Sequence, residues 1–337
     1  MLRDSPTHPI RWLALAAAGV ALPGCYYIHL AAGQLEMNRR RAPIEDVLAR
    51  ADTDATLRTR LQYAARARDF AMTELGLPDN GSYRSYADLG RRYATWNLFA
   101  APEFSVKPKR WCFPVAGCVT YRGYFNEARA TRAAERQERR GLDVHVGPSI
   151  AYSTLGHLRD PVLNTMLDNG DAELAAYIFH ELAHQAVYAP SDSDFNEAFA
   201  TVVETEGLRR WLARVERTTE LDAILTARGR QQAAAQKMVE SRARLAALYG
   251  SGAVEEELRA GKAEELARLR ESLETDGLEV DGDLNNARLA AVSTYQRCVP
   301  ALAAELDRLD KDLAAFYAAM KAVARDVPAR TRLCPPT

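Results

Sequence analysis

His180-Glu181-Leu182-Ala183-His184 sets two imidazoles four residues apart, and in an α-helix such residues share one face. Two imidazole nitrogens on one face can bind a single tetrahedral metal ion, and zinc suits a site of nitrogen and carboxylate donors. Glu181 falls about 100° round the helix from His180, at the edge of that face. There a carboxylate can take a proton from a water polarised by the metal, as a general base. A hydrolytic site of this kind needs a third protein ligand and one open position. Two carboxylates downstream qualify, Glu197 in Asn196-Glu197-Ala198 and Glu204. They are seven residues apart, two helical turns, so both can face the metal side of a following helix.

The surroundings of the motif matter as much as its spacing. Residues 172–188 are apolar almost all round, with Leu174, Ile178, Phe179, Leu182 and Val187 among them. A helix of that composition is buried. Histidines and a glutamate inside it need partners, because unpaired buried polar groups are costly. Two core histidines bonded to carboxylates would meet that need; the spacing and the downstream glutamates point instead to one zinc ion per chain.

The elements that must position these residues can be read coarsely. A helix is expected from Cys25 to Arg41, with a break near Pro43, and a second over about 53–76, stopped by Gly76-Leu77-Pro78-Asp79-Asn80-Gly81. Residues 93–125 mix aromatic, β-branched, Pro and Gly positions and read as strands and loops. Asn126–Arg140 reads as a helix, with Gly141 placed to end it. Asp143–Val146 and Ile150–Thr154 read as short strands ahead of the metal helix. The second, with Ala151, Tyr152, Ser153 and Thr154, is the candidate edge strand for an extended peptide substrate. Beyond Asn196 the pattern is helical over 195–249 and 254–277, split at Gly250-Ser251-Gly252, which describes an αα-hairpin. A last pair covers 284–298 and about 300–324. The expected class is α+β and helix-rich, a small sheet beside the metal helix.

Charge and the N-terminus bound the setting. Lys+Arg number 44 and Asp+Glu 45, so the net charge is -1 and no basic block points to nucleic acid. Arg3 and Arg11 precede an apolar run of 11 residues, Trp12–Leu22, too short to span a bilayer and suited to a signal-peptide core. It ends in Leu22-Pro23-Gly24-Cys25, which resembles a bacterial lipobox. The resemblance implies cleavage before Cys25, its lipidation, and anchorage in the cell envelope. Tyr26 in place of Asp then implies the outer membrane, facing the periplasm. Four further cysteines suit an oxidising compartment. Cys112 with Cys118 and Cys298 with Cys334 is the most economical of the three pairings that four cysteines allow.

His-Glu-x-x-His followed by Asn-Glu-Ala also resembles the gluzincin metallopeptidases, whose third zinc ligand is the Glu of that Asn-Glu. The resemblance assigns Glu197 as third ligand. Thermolysin-like members carry an Asp four residues after it to orient the first His; here Thr201 stands there, and Glu204 is the nearby acid that could serve. Tyr93-Ala94-Thr95-Trp96-Asn97, Tyr121-Arg122-Gly123-Tyr124-Phe125, Ala151–Gly156, the stretch from His180 to Thr201 and Asn285-Asn286-Ala287 resemble a bacterial family labelled "putative aminopeptidase", predicted zinc-dependent lipoproteins. That implies a zincin-like core and peptide or protein substrates. The expected layout is a signal peptide (1–24), an N-terminal helical region (25–92), a catalytic core (93–210) and a helical lobe closing the cleft (211–337). Glu181 is the expected base and Tyr295 the expected oxyanion donor, ahead of Tyr152 and His157. A zinc endopeptidase acting on envelope proteins is the alternative enzyme. A non-catalytic zinc lipoprotein that binds a partner through its helical arm is the alternative outside catalysis.

Overall fold

The computed structural model describes residues 26–113, 117–154, 158–278, 280–292 and 298–335. These form a helix-rich α+β fold. Helix α1 (residues 26–40) leads into strand β1 (Arg41–Pro43) and helix α2 (Ile44–Ala49). Helix α3 (Ala55–Thr73) begins where the Asp54 carboxylate accepts from the backbone N–H groups of Thr56 and Leu57, an N-cap. It supplies one wall of the main core through Leu61, Ala64, Ala67 and Phe70.

Six strands follow in two sheets and a hairpin. They are β2 (Ser85–Ala87), β3 (Thr95–Pro102), β4 (Trp111–Phe113), β5 (Gly117–Val119), β6 (Tyr121–Tyr124) and, after helix α4 (Glu127–Glu138), β7 (Leu142–Ser149). β3 is the centre of an antiparallel sheet ordered β6-β3-β7, in which Asn97 faces Gly123 on one side and Gly147 on the other. Side chains alternate across it. Trp96 and Leu98 pack on Ala130, Ala133 and Ala134 of α4, whereas Phe99 and Ala101 pack on Ala287. Both faces are covered, so β3 reads as a nearly continuous apolar run. β8 (Val162–Leu163) completes a second sheet ordered β1-β2-β8. Cys112 and Cys118 are directly paired across the β4–β5 hairpin and joined as a disulfide.

Two expectations change here. Of the two short strands expected over 143–154, only the first forms, as β7, which runs from Leu142 to Ser149. The segment Ala151, Tyr152, Ser153, Thr154 has no ladder partner and is a loop. Side chains capture its backbone instead: the Asp160 carboxylate accepts from the Thr154 N–H and hydroxyl, both at 2.9 Å, and Thr165 donates to the Ile150 carbonyl. Local bonding of this sort competes with strand pairing.

Helices α5 (Asp171–Ala186) and α6 (Ser193–Arg214) carry the metal motif and pack along each other through the main core. At Gly207 α6 lies tight against its neighbours: a Cβ there would lie 2.7 Å from Leu75 Cδ1 and 3.0 Å from Phe179 Cδ2 of α5. The helical run expected over 195–249 is broken at 215–217. Glu216 takes φ 58°, and the N–H groups of Arg217 and Glu216 bond the Leu212 and Ala213 carbonyls, a Schellman stop with no glycine. Helices α7 (Thr218–Tyr249) and α8 (Glu255–Thr275) then form the expected hairpin, turning at Gly252 with φ 78°. Helix α9 (Asn286–Val292) brings Ala287 to the sheet. The expected helix over 300–324 is also two, α10 (Val299–Arg308) and α11 (Leu313–Arg325), separated by the same device at Asp310, φ 52°. Helix α12 (Val327–Leu333) ends beside Cys334, which is joined to Cys298.

Gly207→Ala should destabilise the protein by about 1–2 kcal/mol, because overpacking a fully buried contact outweighs the roughly 1 kcal/mol that Ala gains in helix propensity. Urea unfolding checks this; an unchanged or raised midpoint would show that α5 and α6 can separate freely here.

Candidate metal centre

The turn between the two motif helices fixes their register. Asn196, on the first turn of α6, is buried; its Nδ2 donates to the Ala189 carbonyl at 2.9 Å and its Oδ1 accepts from the Ala189 N–H at 2.7 Å. Asp192 caps α6 by accepting from the Phe195 N–H, and its other oxygen is held by Arg330 of α12 at 2.9 Å. With the turn pinned, Glu197 faces the two histidines.

His180 Nε2 lies 3.2 Å from His184 Nε2 and 3.4 Å from Glu197 Oε2, and His184 Nε2 lies 3.7 Å from Glu197 Oε1. Among the described residues these three are the group whose donor atoms converge closely enough to hold one metal ion. The convergence can be tested by size. Donors about 2.0–2.1 Å from a tetrahedral zinc stand roughly 3.3 Å apart; the two imidazole nitrogens are 3.2 Å apart, and each has a Glu197 oxygen nearby, Oε2 at 3.4 Å from His180 and Oε1 at 3.7 Å from His184. The donor set, two imidazoles and a carboxylate, is also one that zinc accepts.

Electrostatics agree with a cation at this point. Burial opposes a charge on His180, yet its hydrogen bonds to the Glu197 and Glu204 carboxylates outweigh that and hold its pKa well above the ordinary imidazole value. Burial, aided by the His180 charge, pushes His184 down to about 4. His180 therefore favours the charged imidazolium, facing Glu197, and His184 the neutral ring. Burial raises the Glu197 carboxyl, but the two histidines more than reverse that and lower it.

Around this centre the structure brings some expected residues together and leaves others elsewhere. Glu181 lies beside it: burial pushes its carboxyl up, while the His180 charge and the Ser153 hydroxyl pull it back. Ser153 thus reaches the site from a loop rather than from a strand. Tyr152 packs its ring on Phe125, 4.9 Å between centroids. Cys112, Cys118, Cys298 and Cys334 form the two disulfides away from the centre. Tyr295, His157 and Cys25 lie outside the described residues. Glu204 does not converge with the three donors; it accepts from His180 Nδ1 at 2.9 Å, behind the ring.

One hydroxyl at the site goes beyond the sequence reading. Tyr121 opens β6, and its ring lies against Phe99. Desolvation, with the Glu197 and Glu181 carboxylates adding to it, pushes its hydroxyl up to about 12. Though its side chain is partly exposed, the hydroxyl is therefore protonated at neutral pH and lies within electrostatic reach of both acids. Its block, Tyr121-Arg122-Gly123-Tyr124, stands out in the sequence, but nothing local there ties it to residues 60 or more positions away.

Comparison with known proteins adds one finding. The family described as "Putative aminopeptidase" matches residues 25–333, nearly the whole chain. The chain belongs to this family. No curated protein and no solved structure matches it. The family's description suggests a peptidase, and its match covers the sheet, the motif helices and the hairpin alike.

Asn196→Ala would strip two partners from the buried Ala189 backbone, and the cost should be about 2–4 kcal/mol. A denaturant melt measures it. A loss below about 0.5 kcal/mol, within the range of ordinary surface changes, would mean that the turn is held by other contacts.

Proposed function

We propose that this chain is a zinc-dependent peptidase of the bacterial cell envelope, with gluzincin-like chemistry and an aminopeptidase's action. One observation carries the reading: two histidine Nε2 atoms and the Glu197 carboxylate converge closely enough to share one metal ion, with the Glu181 carboxylate beside them. Zinc held by His180, His184 and Glu197 would polarise a water and the scissile carbonyl. Glu181 takes the water's proton and passes it to the leaving amine. Ser153 holds the Glu181 carboxylate in place. The Tyr121 hydroxyl, protonated at neutral pH, donates to the oxyanion as charge develops there. This gives Tyr121 the part expected of Tyr295.

A second reading, internal cleavage of envelope proteins, has its own support. Glu204 and Asp160, the acids beside the site, are already engaged, by His180 and Arg228 and by Thr154. A substrate's free amine would have to displace one of those partners. Anchorage through a lipid on Cys25 draws support from α1, which follows it directly. That helix leaves Tyr27, Ile28 and Leu35 exposed, Ile28 by 69%, an apolar stripe next to the anchor point. No helix among the described residues is long and apolar enough to cross a membrane.

Glu181→Gln should retain zinc and fold while losing roughly 10²–10⁴ in turnover, the usual worth of a general base. His184→Ala should lose metal and turnover together. The assay is metal analysis beside digestion of a peptide library with free and blocked N-termini. Zinc-loaded wild type that cleaves nothing would sink the enzyme reading, and cleavage of blocked peptides would select the internal-cleavage one.

Zinc binding should also release about one proton near neutral pH, because a metal ligand must be deprotonated and metal-free His180 holds its proton well above the ordinary range. Affinity should accordingly rise with pH until His180 titrates in the free protein. Calorimetry in two buffers of different ionisation enthalpy measures this; binding heats that do not depend on the buffer would contradict it.

A further inference from the structure

His180 Nδ1 points away from the metal centre and meets Glu204 Oε2 at 2.9 Å. The other oxygen of that carboxylate, Oε1, is taken by a guanidinium nitrogen of Arg228 at 2.7 Å. The same nitrogen reaches Glu173 Oε2 at 3.3 Å. The Glu204 side chain is 14% exposed, so water competes little for these contacts. Three helices are joined through one cation: α5 by Glu173 and His180, α6 by Glu204, and α7 by Arg228. Glu173 and His180 are seven residues apart, two turns of α5, and so share a face.

A glutamate has three side-chain torsions, and one hydrogen bond to an imidazole fixes only one of its oxygens. The second contact, from Arg228, sets where the carboxylate points. Without it, Glu173 and Glu204 would be two carboxylates close together with no cation between them, and their repulsion would turn Glu204 away from His180. We infer that Arg228 is a positioning residue for the metal centre: it holds Glu204, and through Glu204 the His180 ring, so that metal affinity depends on how the α7–α8 hairpin is seated. The inference rests on the zinc reading above and adds to it a link between the site and the hairpin.

The hairpin's own packing makes that link consequential. The buried residues of α7 are Ala235, Ser241 and Leu245, few for 32 residues. The hairpin's far part packs in a small apolar cluster of its own, Leu245, Leu269 and Leu273 with Leu284 and Leu289, and α8 adds ion pairs, Lys262 on Asp143 at 2.7 Å and Arg259 on Glu103 at 2.9 Å. An arm seated on a small separate cluster, with only Leu221 and Ile224 of its first turns against the main core, moves at lower cost than one sunk in that core. Displacing it would withdraw Arg228 from Glu204.

The test is zinc affinity of the purified full chain, by competition with a chromophoric chelator, for wild type and for Arg228→Met, Arg228→Lys, Glu204→Gln and the Arg228→Met/Glu204→Gln pair. Glu204→Gln should weaken zinc roughly 10-fold or more, as loss of a ligand's hydrogen-bond partner does. Arg228→Met should weaken it by roughly 5-fold, and Arg228→Lys should recover part of that, since an ammonium reaches one carboxylate oxygen without the guanidinium's fixed fork. The pair should match Glu204→Gln alone, because nothing remains for Arg228 to position. The cobalt-substituted protein adds a spectrum: Arg228→Met should shift the visible bands, which a fold-wide loosening with intact ligands would not. Should Arg228→Met fail to fold, Arg228→Lys carries the comparison. Wild-type zinc affinity in Arg228→Met, or losses that multiply in the pair, would overturn the inference while leaving zinc binding intact. Wild type that binds no zinc would overturn the metal reading and this one together.

Discussion

Everything at the centre depends on how closely α5 and α6 approach. Gly207 lets the second helix lie against Phe179 and Leu75 with no side chain between. A six-residue turn, 187–192, then leaves little freedom in register, and Asn196 removes most of what is left by bonding both backbone groups of Ala189. From that single packing arrangement Glu197 meets His180 and His184, and Glu204, two turns further on, meets the back of His180. The histidines and the carboxylates stand on different helices, so a shift of one residue along either would separate them all.

Such a centre is costly to bury, and the neighbouring structure compensates. Three of its charges are stabilised by neighbours: Glu197 by the histidines, His180 by two carboxylates, Glu204 by Arg228. The apolar shell, Phe179, Leu182, Phe195 and Phe199 among them, keeps water from weakening these contacts. Asp160 does a similar service at the loop below, where one buried carboxylate organises Thr154. The loop thereby presents Ser153 to Glu181.

Much of this was legible in the residues, and the limits have physical causes. The four-residue histidine spacing, the apolar helix around it and the hairpin's Gly turn are local signals, and each appears where it was read. Glu204 as the partner of His180 was suggested by the gluzincin resemblance, in which Thr201 stands where an acid is expected, and helical spacing allowed it. Helix ends at Glu216 and Asp310 were missed because their left-handed residues are not glycine, so the Schellman bonds that stop the chain leave no mark in composition. Ala151–Thr154 was read as a strand from its residue types, but the acid that captures its backbone comes later in the chain and cannot be weighed by propensity. Tyr121 and Arg228 are contributions from distant elements, and only the folded arrangement relates them to the centre.

Arg330 and the Cys298–Cys334 disulfide have a further implication, one of timing. Asp192, which caps the helix carrying Glu197, is held by a residue 138 positions later, on a helix tied down through Cys334. A chain made from its N-terminus therefore meets both histidines and Glu197 well before the brace for that helix exists. The brace is complete only after α12 has emerged and its neighbouring thiol has been oxidised. The centre would thus reach its final geometry only once the whole chain has been made and Cys298 and Cys334 have been joined.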